Sequence, residues 1–122
     1  MASLKEKSKS LLISASAIDI NNAAKQSIYV CPSGKSCVIT SVVVRNLSVA
    51  CASNSISFGW DTNATDIVAN STYASFTGST VYTNINAKVG ATRGTSGQIF
   101  GVIANTPNTA ATATIDVFGY LY

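Results

Sequence analysis

Along most of this chain, large apolar residues alternate with small or polar ones at a period of two. That is the spacing of extended strands, whose successive side chains face opposite ways. In Ile56-Ser57-Phe58-Gly59-Trp60 the alternation puts Ile56, Phe58 and Trp60 on one face. Between Val81 and Val89 it puts Val81, Thr83, Ile85, Ala87 and Val89 on one face and Tyr82, Asn84, Asn86 and Lys88 on the other. Near the end, Ala111, Ala113, Ile115, Val117, Gly119 and Leu121 share a face opposite Thr112, Thr114, Asp116, Phe118, Tyr120 and Tyr122. The segment Val38-Ile39-Thr40-Ser41-Val42-Val43-Val44 departs from this pattern, being apolar on both faces and rich in β-branched residues that favour strand over helix. It is expected to be central in its sheet and to need a cover on its outer side, such as a neighbouring subunit.

Turn signals punctuate these runs. Cys31-Pro32-Ser33-Gly34-Lys35 combines a fixed φ at Pro with a permissive one at Gly. Asp61-Thr62-Asn63 follows the Trp60 strand, Gly90, Gly94 and Gly97 interrupt the chain before Gln98, and Asn105-Thr106-Pro107-Asn108 precedes the final run. The pattern predicts eight strands, over residues 10–19, 26–31, 36–47, 54–60, 65–69, 79–89, 97–104 and 110–121. No helix of useful length and no internal repeat is found. An all-β, single-domain antiparallel β-sandwich over 10–122, jelly-roll-like, is the expected fold, preceded by a flexible basic arm over 1–9.

Composition sharpens the picture. The 122 residues suffice for one core. Charged residues make up only 11%, against roughly 25% in ordinary soluble domains. Ser, Thr, Asn and Ala therefore dominate the surface, and such a surface packs against neighbours with little charge to desolvate. Lys5, Lys7 and Lys9 hold three of the eight basic groups, with Glu6 the only acid among them, so the +3 net charge is weighted toward the start and the body is near neutral. That argues against a broad basic face for duplex nucleic acid. No apolar run approaches the length of a membrane span, and the Leu11-Leu12-Ile13 run is too short and too interrupted by serine for a signal peptide.

Candidate chemistry is sparse. The chain has no histidine, which removes the usual general base and the commonest metal ligand. Its acids are Glu6, Asp19, Asp61, Asp66 and Asp116. The segment Asp61-Thr62-Asn63-Ala64-Thr65-Asp66 superficially resembles a calcium loop but lacks that loop's glycine and its closing glutamate, so Asp61 and Asp66 are expected to cap backbone amides in a turn. Cys31, Cys37 and Cys51 have no histidine to activate them. Cys31 and Cys37 flank a turn and either face each other across a hairpin or serve as small apolar residues, the second being the expected role. The run Gly90 to Gly97 lacks the ending of a phosphate loop and reads as a flexible connection with Arg93 its only charge. No catalytic residue, metal ligand or cofactor site is assigned. Trp60 is expected in the core. Tyr73, Phe76, Phe118, Tyr120 and Tyr122 are candidate interaction residues, together with Lys5, Lys7, Lys9 and Arg93. Whether the aromatic row on the last strand is covered or exposed stays open from sequence.

The run from Ile28 to Asn46 contains Tyr29-Val30-Cys31-Pro32-Ser33-Gly34-Lys35, then a β-branched strand ending in Arg45-Asn46. It resembles a pattern in small virion proteins of tailed bacteriophages, a Tyr-x-x-Pro-x-Gly-Lys turn followed by such a strand. Phe58-Gly59-Trp60-Asp61 and the closing Phe118-Gly119-Tyr120-Leu121-Tyr122 look similar to the same group, while residues 62–110 add nothing to it. The resemblance implies a subunit of the virion, made in the host cytoplasm. It would be a capsid decoration or cement protein, or a head-fibre or tail accessory subunit. It also implies the major capsid protein or other virion subunits as partners, and a homo-oligomer, commonly a trimer. The expectation is a non-enzymatic structural protein with no specific nucleic acid and no membrane partner. The alternative is a carbohydrate-binding module or adhesin whose Tyr73, Phe76 or Tyr120 stacks on a glycan. A hydrolase ranks third for want of acid–base groups.

Overall fold

The computed structural model describes residues 9–61 and 65–122. The expected basic arm falls almost wholly on residues 1–8, so Lys5 and Lys7 lie outside the described residues. The eight strands are β1 (Ser10–Asp19), β2 (Gln26–Val30), β3 (Cys37–Arg45), β4 (Ser55–Trp60), β5 (Val68–Ser71), β6 (Thr83–Asn86), β7 (Ile99–Thr106) and β8 (Thr112–Leu121). They form two four-stranded sheets with orders β1-β8-β3-β6 and β2-β7-β4-β5. Every pairing is antiparallel, and β1 pairs β8, β2 pairs β7, β3 pairs β6 and β4 pairs β5. The chain is thus one long hairpin with its tip at β4–β5, rolled so that alternate rungs fall in opposite sheets. This is the jelly-roll form of the β-sandwich.

The alternation read from sequence becomes the core. Ile56, Phe58 and Trp60 of β4 are fully buried, facing Ile115, Val117, Val42 and Val44 from the other sheet. Phe100 stacks on Phe58 (ring centroids 5.9 Å apart, 13° between planes) and meets Trp60 edge-on at 5.5 Å and 61°. These are two geometries that aromatic quadrupoles favour.

Three expectations change, and one alternative left open is settled. The doubly buried strand is β4, not β3: Ser55, Ser57 and Gly59 on its outer side are buried too. They are small enough to lie under Asn105 and Asn70. The Asn105 Nδ2 donates to Ser57 Oγ (2.9 Å) and Asn70 Oδ1 (3.0 Å), and Ser55 Oγ donates to Asn70 Oδ1 (2.6 Å). β3 is central, between β8 and β6, but its outward Val38 and Val43 are only half-buried. β2 and β3 do not form a hairpin, because they belong to different sheets and the Pro32–Ser36 turn crosses between them. The strand expected over 79–89 is reduced to Thr83–Asn86, since the chain turns at Gly90 with φ +75° and leaves Val89 fully exposed. The fifth strand, expected over 65–69, begins only at Val68, because Asp66 is occupied in receiving the Trp60 amide.

Bulges shape the sheets. β1, an edge strand, shifts register between Leu11 and Ile13 and again between Ala15 and Ile18, with Ala17 at φ +55°. β3 shifts between Ile39 and Ser41 opposite β8. There the Thr40 hydroxyl donates to the Phe118 carbonyl at 3.1 Å, supplying a bond the broken ladder does not. Gly119 faces this bulge, and a Cβ on it would collide with the backbone carbonyl of Val38. Gly119→Ala is therefore expected to lower stability by about 2–4 kcal/mol in urea unfolding, by forcing two central strands apart. Gly78→Ala, where a Cβ meets open space, should stay within about 0.5 kcal/mol of the parent.

Candidate functional site

The outer face of the β1-β8-β3-β6 sheet is where the sequence-derived candidates gather. The pleat of β8 turns Asp116, Phe118 and Tyr120 outward, all half-buried, and Tyr122 follows them with 46% of its surface exposed. Register adds neighbours from both flanking strands. Leu11 of β1 pairs with Phe118 and is 53% exposed, and Val38 of β3 pairs with Tyr120. Leu11, Phe118, Tyr120 and Val38 thus form an apolar band across three strands. Lys9 lies over the Phe118 ring, its ammonium 5.9 Å from the centroid, within cation–π reach. At the other end, Arg93 Nη1 donates to the Tyr122 hydroxyl at 3.2 Å. Lys9, Arg93, Phe118, Tyr120 and Tyr122 are therefore brought together.

Beside the band sits a charged cluster that sequence reasoning missed. Arg45 Nε donates to Asp116 Oδ2 at 2.8 Å and Nη2 to Oδ1 at 3.3 Å, while Ser14 Oγ donates to the same Oδ1 at 2.5 Å. The fork-like approach of the guanidinium suits a planar carboxylate. The Arg45 hydrogen bond is the main reason the Asp116 carboxyl lies below its ordinary value, and Asp116 in turn raises Arg45. Each residue is in the outward phase of its strand, but 71 positions separate them, and only the pairing of β3 with β8 joins them.

Tyr73 and Phe76 belong elsewhere. Their rings stack at 5.1 Å in the connection between β5 and β6, Phe76 is fully buried, and its carbonyl accepts the Cys51 amide at 2.9 Å. Phe76 is thus a core residue and not an interaction residue. The polar setting of Asn70 to Thr80 concealed that, because no periodicity marks an isolated anchor. Tyr73 is half-buried, and that burial raises its hydroxyl above the ordinary tyrosine value.

The remaining polar features serve the fold. Asp66 Oδ1 accepts the Trp60 amide at 2.9 Å, and Asp61 accepts the Ile99 amide (2.9 Å) and the Gln98 side chain (3.0 Å), so both act as backbone or turn caps. The Ile99 and Gln98 bonds hold Asp61 below the usual carboxyl value. The Gly90–Gly97 connection is anchored, not free. Gly94 exchanges two backbone bonds with Cys37 (2.8 and 2.9 Å), its missing side chain leaves the space filled by the Trp60 indole, and Trp60 Nε1 donates to Thr92 O at 3.1 Å. On the second sheet a hollow of about 340 Å³ is lined by Lys25, Ser27, Asp61 and Ile99. There the Lys25 ammonium is held by the carbonyls of Asp61 and Ile99, and partial burial lowers its pKa. Among the described residues no three of His, Cys, Asp and Glu lie together as a metal-ligand set.

The fold is a single-domain jelly-roll sandwich, and the outer face of its β1-β8-β3-β6 sheet carries an apolar band with cations at its ends. No protein-family model, curated protein or solved structure matches the chain.

The Arg45–Asp116–Ser14 cluster makes a pH prediction. The carboxyl of Asp116 titrates lower in the folded chain than its unfolded value of 3.8. Its contribution to stability is therefore complete above that value and is lost as pH falls through the lower, folded one. Asp116→Asn should flatten the acid limb of thermal stability below about pH 4 and leave the dependence above pH 5 unchanged, as read by melting scans across that range.

Proposed function

We propose that this protein is a non-enzymatic virion structural protein, a capsid decoration or cement subunit that attaches to the capsid lattice through the outer face of the β1-β8-β3-β6 sheet. The observation that carries this reading is the band of Leu11, Phe118, Tyr120 and Val38 on that face, in a chain where only 11% of residues are charged. Aromatic side chains supply much of the energy at protein interfaces, and a surface of short neutral polar groups around them is cheap to desolvate. Lys9 and Arg93 at the two ends of the band would fix orientation and favour acidic rims on the partner. The resemblance of the Tyr29–Asn46 region and the closing strand to phage virion proteins supplies the biological setting. It also favours a homo-oligomer, a trimer, as the attached unit.

A cement subunit acts because contacts that span neighbouring capsomers must break together, so a particle carrying it resists expansion. Among the alternatives, a glycan-binding role has less to stand on, because Phe76 is buried beneath Tyr73 and offers a sugar no ring face.

Two experiments test the proposal. Particles with and without the subunit are compared under heat and osmotic shock, and greater survival of the decorated particles is expected; equal survival ends the cement role. Leu11→Asp and Tyr120→Ser are then compared with the parent in particle binding. Each is expected to weaken attachment by about thirtyfold or more, the loss of an interface anchor worth ~2 kcal/mol, with little change in thermal midpoint. Undiminished attachment of both variants would remove this face from the mechanism.

A further inference from the structure

Cys31 directly follows β2 of one sheet and Cys37 opens β3 of the other, with the exposed turn of Pro32 to Lys35 between them. Both are free thiols and both side chains are buried, at 1% and 0% exposure. They converge on one backbone group. Cys37 donates its amide to the Gly94 carbonyl at 2.9 Å and accepts the Gly94 amide at 2.8 Å, while Cys31 Sγ lies 4.0 Å from the same carbonyl and 3.3 Å from Lys35 O. The Gly94 carbonyl thus sets the Cys31 sulfur beside the backbone of Cys37, and both side chains lie in the same buried cluster. Cys51 is held apart, its amide bonded to Phe76 O in the connection between β3 and β4.

From this juxtaposition we propose that Cys31 and Cys37 are a redox modification site: they form a reversible disulfide that ties β2 to β3 and so staples one sheet to the other. The oxidant is a low-molecular-weight disulfide. The thiolate of one cysteine attacks a sulfur of that reagent, forming a mixed disulfide and releasing one small thiolate, which takes up a proton. The thiolate of the second cysteine then attacks the protein sulfur of the mixed disulfide and expels the second small thiolate. The protein loses two hydrogens, one S–S bond forms, and one molecule of the reagent is reduced to two thiols.

The surroundings set the rate. Access requires the Pro32–Ser36 turn to open, and few bonds hold it: Lys35 N to Pro32 O at 3.1 Å, Gly34 N to Ser96 Oγ at 3.1 Å, and the exchange between Ser36 and Tyr122 at 2.8 and 3.0 Å. Burial, with a smaller contribution from Cys31, pushes the Cys37 thiol up to about 12. Its thiolate is therefore scarce at neutral pH, and closure of the bond is slow there and faster in alkali.

The test incubates the full chain with glutathione disulfide, quenches with acid, alkylates the remaining thiols in denaturant and digests with trypsin. Cleavage after Lys25, Lys35 and Arg45 places Cys31 in peptide 26–35, Cys37 in 36–45 and Cys51 in neither. The expected product is 26–35 linked to 36–45, with Cys51 alkylated. The rate should rise about tenfold per pH unit near neutrality, and the melting midpoint of the oxidised chain should rise by about 5–10 °C. Cys37→Ser should yield neither the link nor the shift. If that variant does not fold, the parent decides alone. Three alkylated cysteines after prolonged oxidation at about pH 9, a stable glutathione adduct in place of the link, or a bond to Cys51 would each overturn the proposal.

Discussion

β8 enters its sheet between β1 and β3, and the rest of the molecule depends on that insertion. Until the ten residues of β8 are seated, β1 has no partner in its own sheet, β3 lacks one of its two ladders, and the inner-face Ile115 and Val117 leave the Phe58–Phe100–Trp60 stack uncovered. The fit is close enough that Gly119 has no room for a side chain where it passes Val38. The same strand builds the outside: the inward phase completes the core, and the outward phase, Asp116, Phe118 and Tyr120, forms the centre of the sheet's outer face. Core and surface are therefore one structural decision, made by a two-residue period in a single segment. Because every nested pair except β4–β5 joins distant parts of the chain, with β1 and β8 bringing its two ends together, loop-closure entropy must be met before the pairing gains anything. Such topologies fold slowly for their size.

Much of this was legible in the sequence, for a physical reason. Where large and small residues alternate cleanly, as in Ile56-Ser57-Phe58-Gly59-Trp60 and along β8, the phase tells which large apolar side chains enter the core, although it did not foretell that Ser55, Ser57 and Gly59 would be covered on the other side. What the period does not tell is which strand lies beside which. The Arg45–Asp116–Ser14 cluster, drawn from β3, β8 and β1, could not be read from the chain, nor could the place of Leu11 against Phe118. Isolated positions were also hidden. Phe76 is buried through a loop contact with Cys51 that no local pattern announces, and Val89 keeps the phase of its strand but lies beyond its end. The glycine run before Gln98 looked loose because glycine permits many conformations. At Gly94 glycine instead makes room for the indole of Trp60, which the sequence alone does not place nearby.

The polar groups divide into two kinds of work. Asp61, Asp66, Asn54 and Lys25 are all engaged with the backbone, holding connections at the ends of the sandwich; Asn54, fully buried, receives the Thr109 amide and donates to the Thr109 and Ile20 carbonyls. Arg45, Asp116, Arg93 and Lys9 lie outward and engage side chains. The molecule thus keeps its scaffold charges and its surface charges separate, and changes to the outer face should leave the scaffold intact.

The two register breaks in β1 carry a last consequence. A ten-residue strand at the margin of a sheet would ordinarily present a straight row of unpaired amides and carbonyls, the template on which like molecules add to one another without limit. Here the kinks after Leu11 and around Ala17, the latter with φ +55°, break that row into short, differently aimed pieces. In a protein so poor in repulsive charge, this margin at least is denied the straight geometry on which like strands stack.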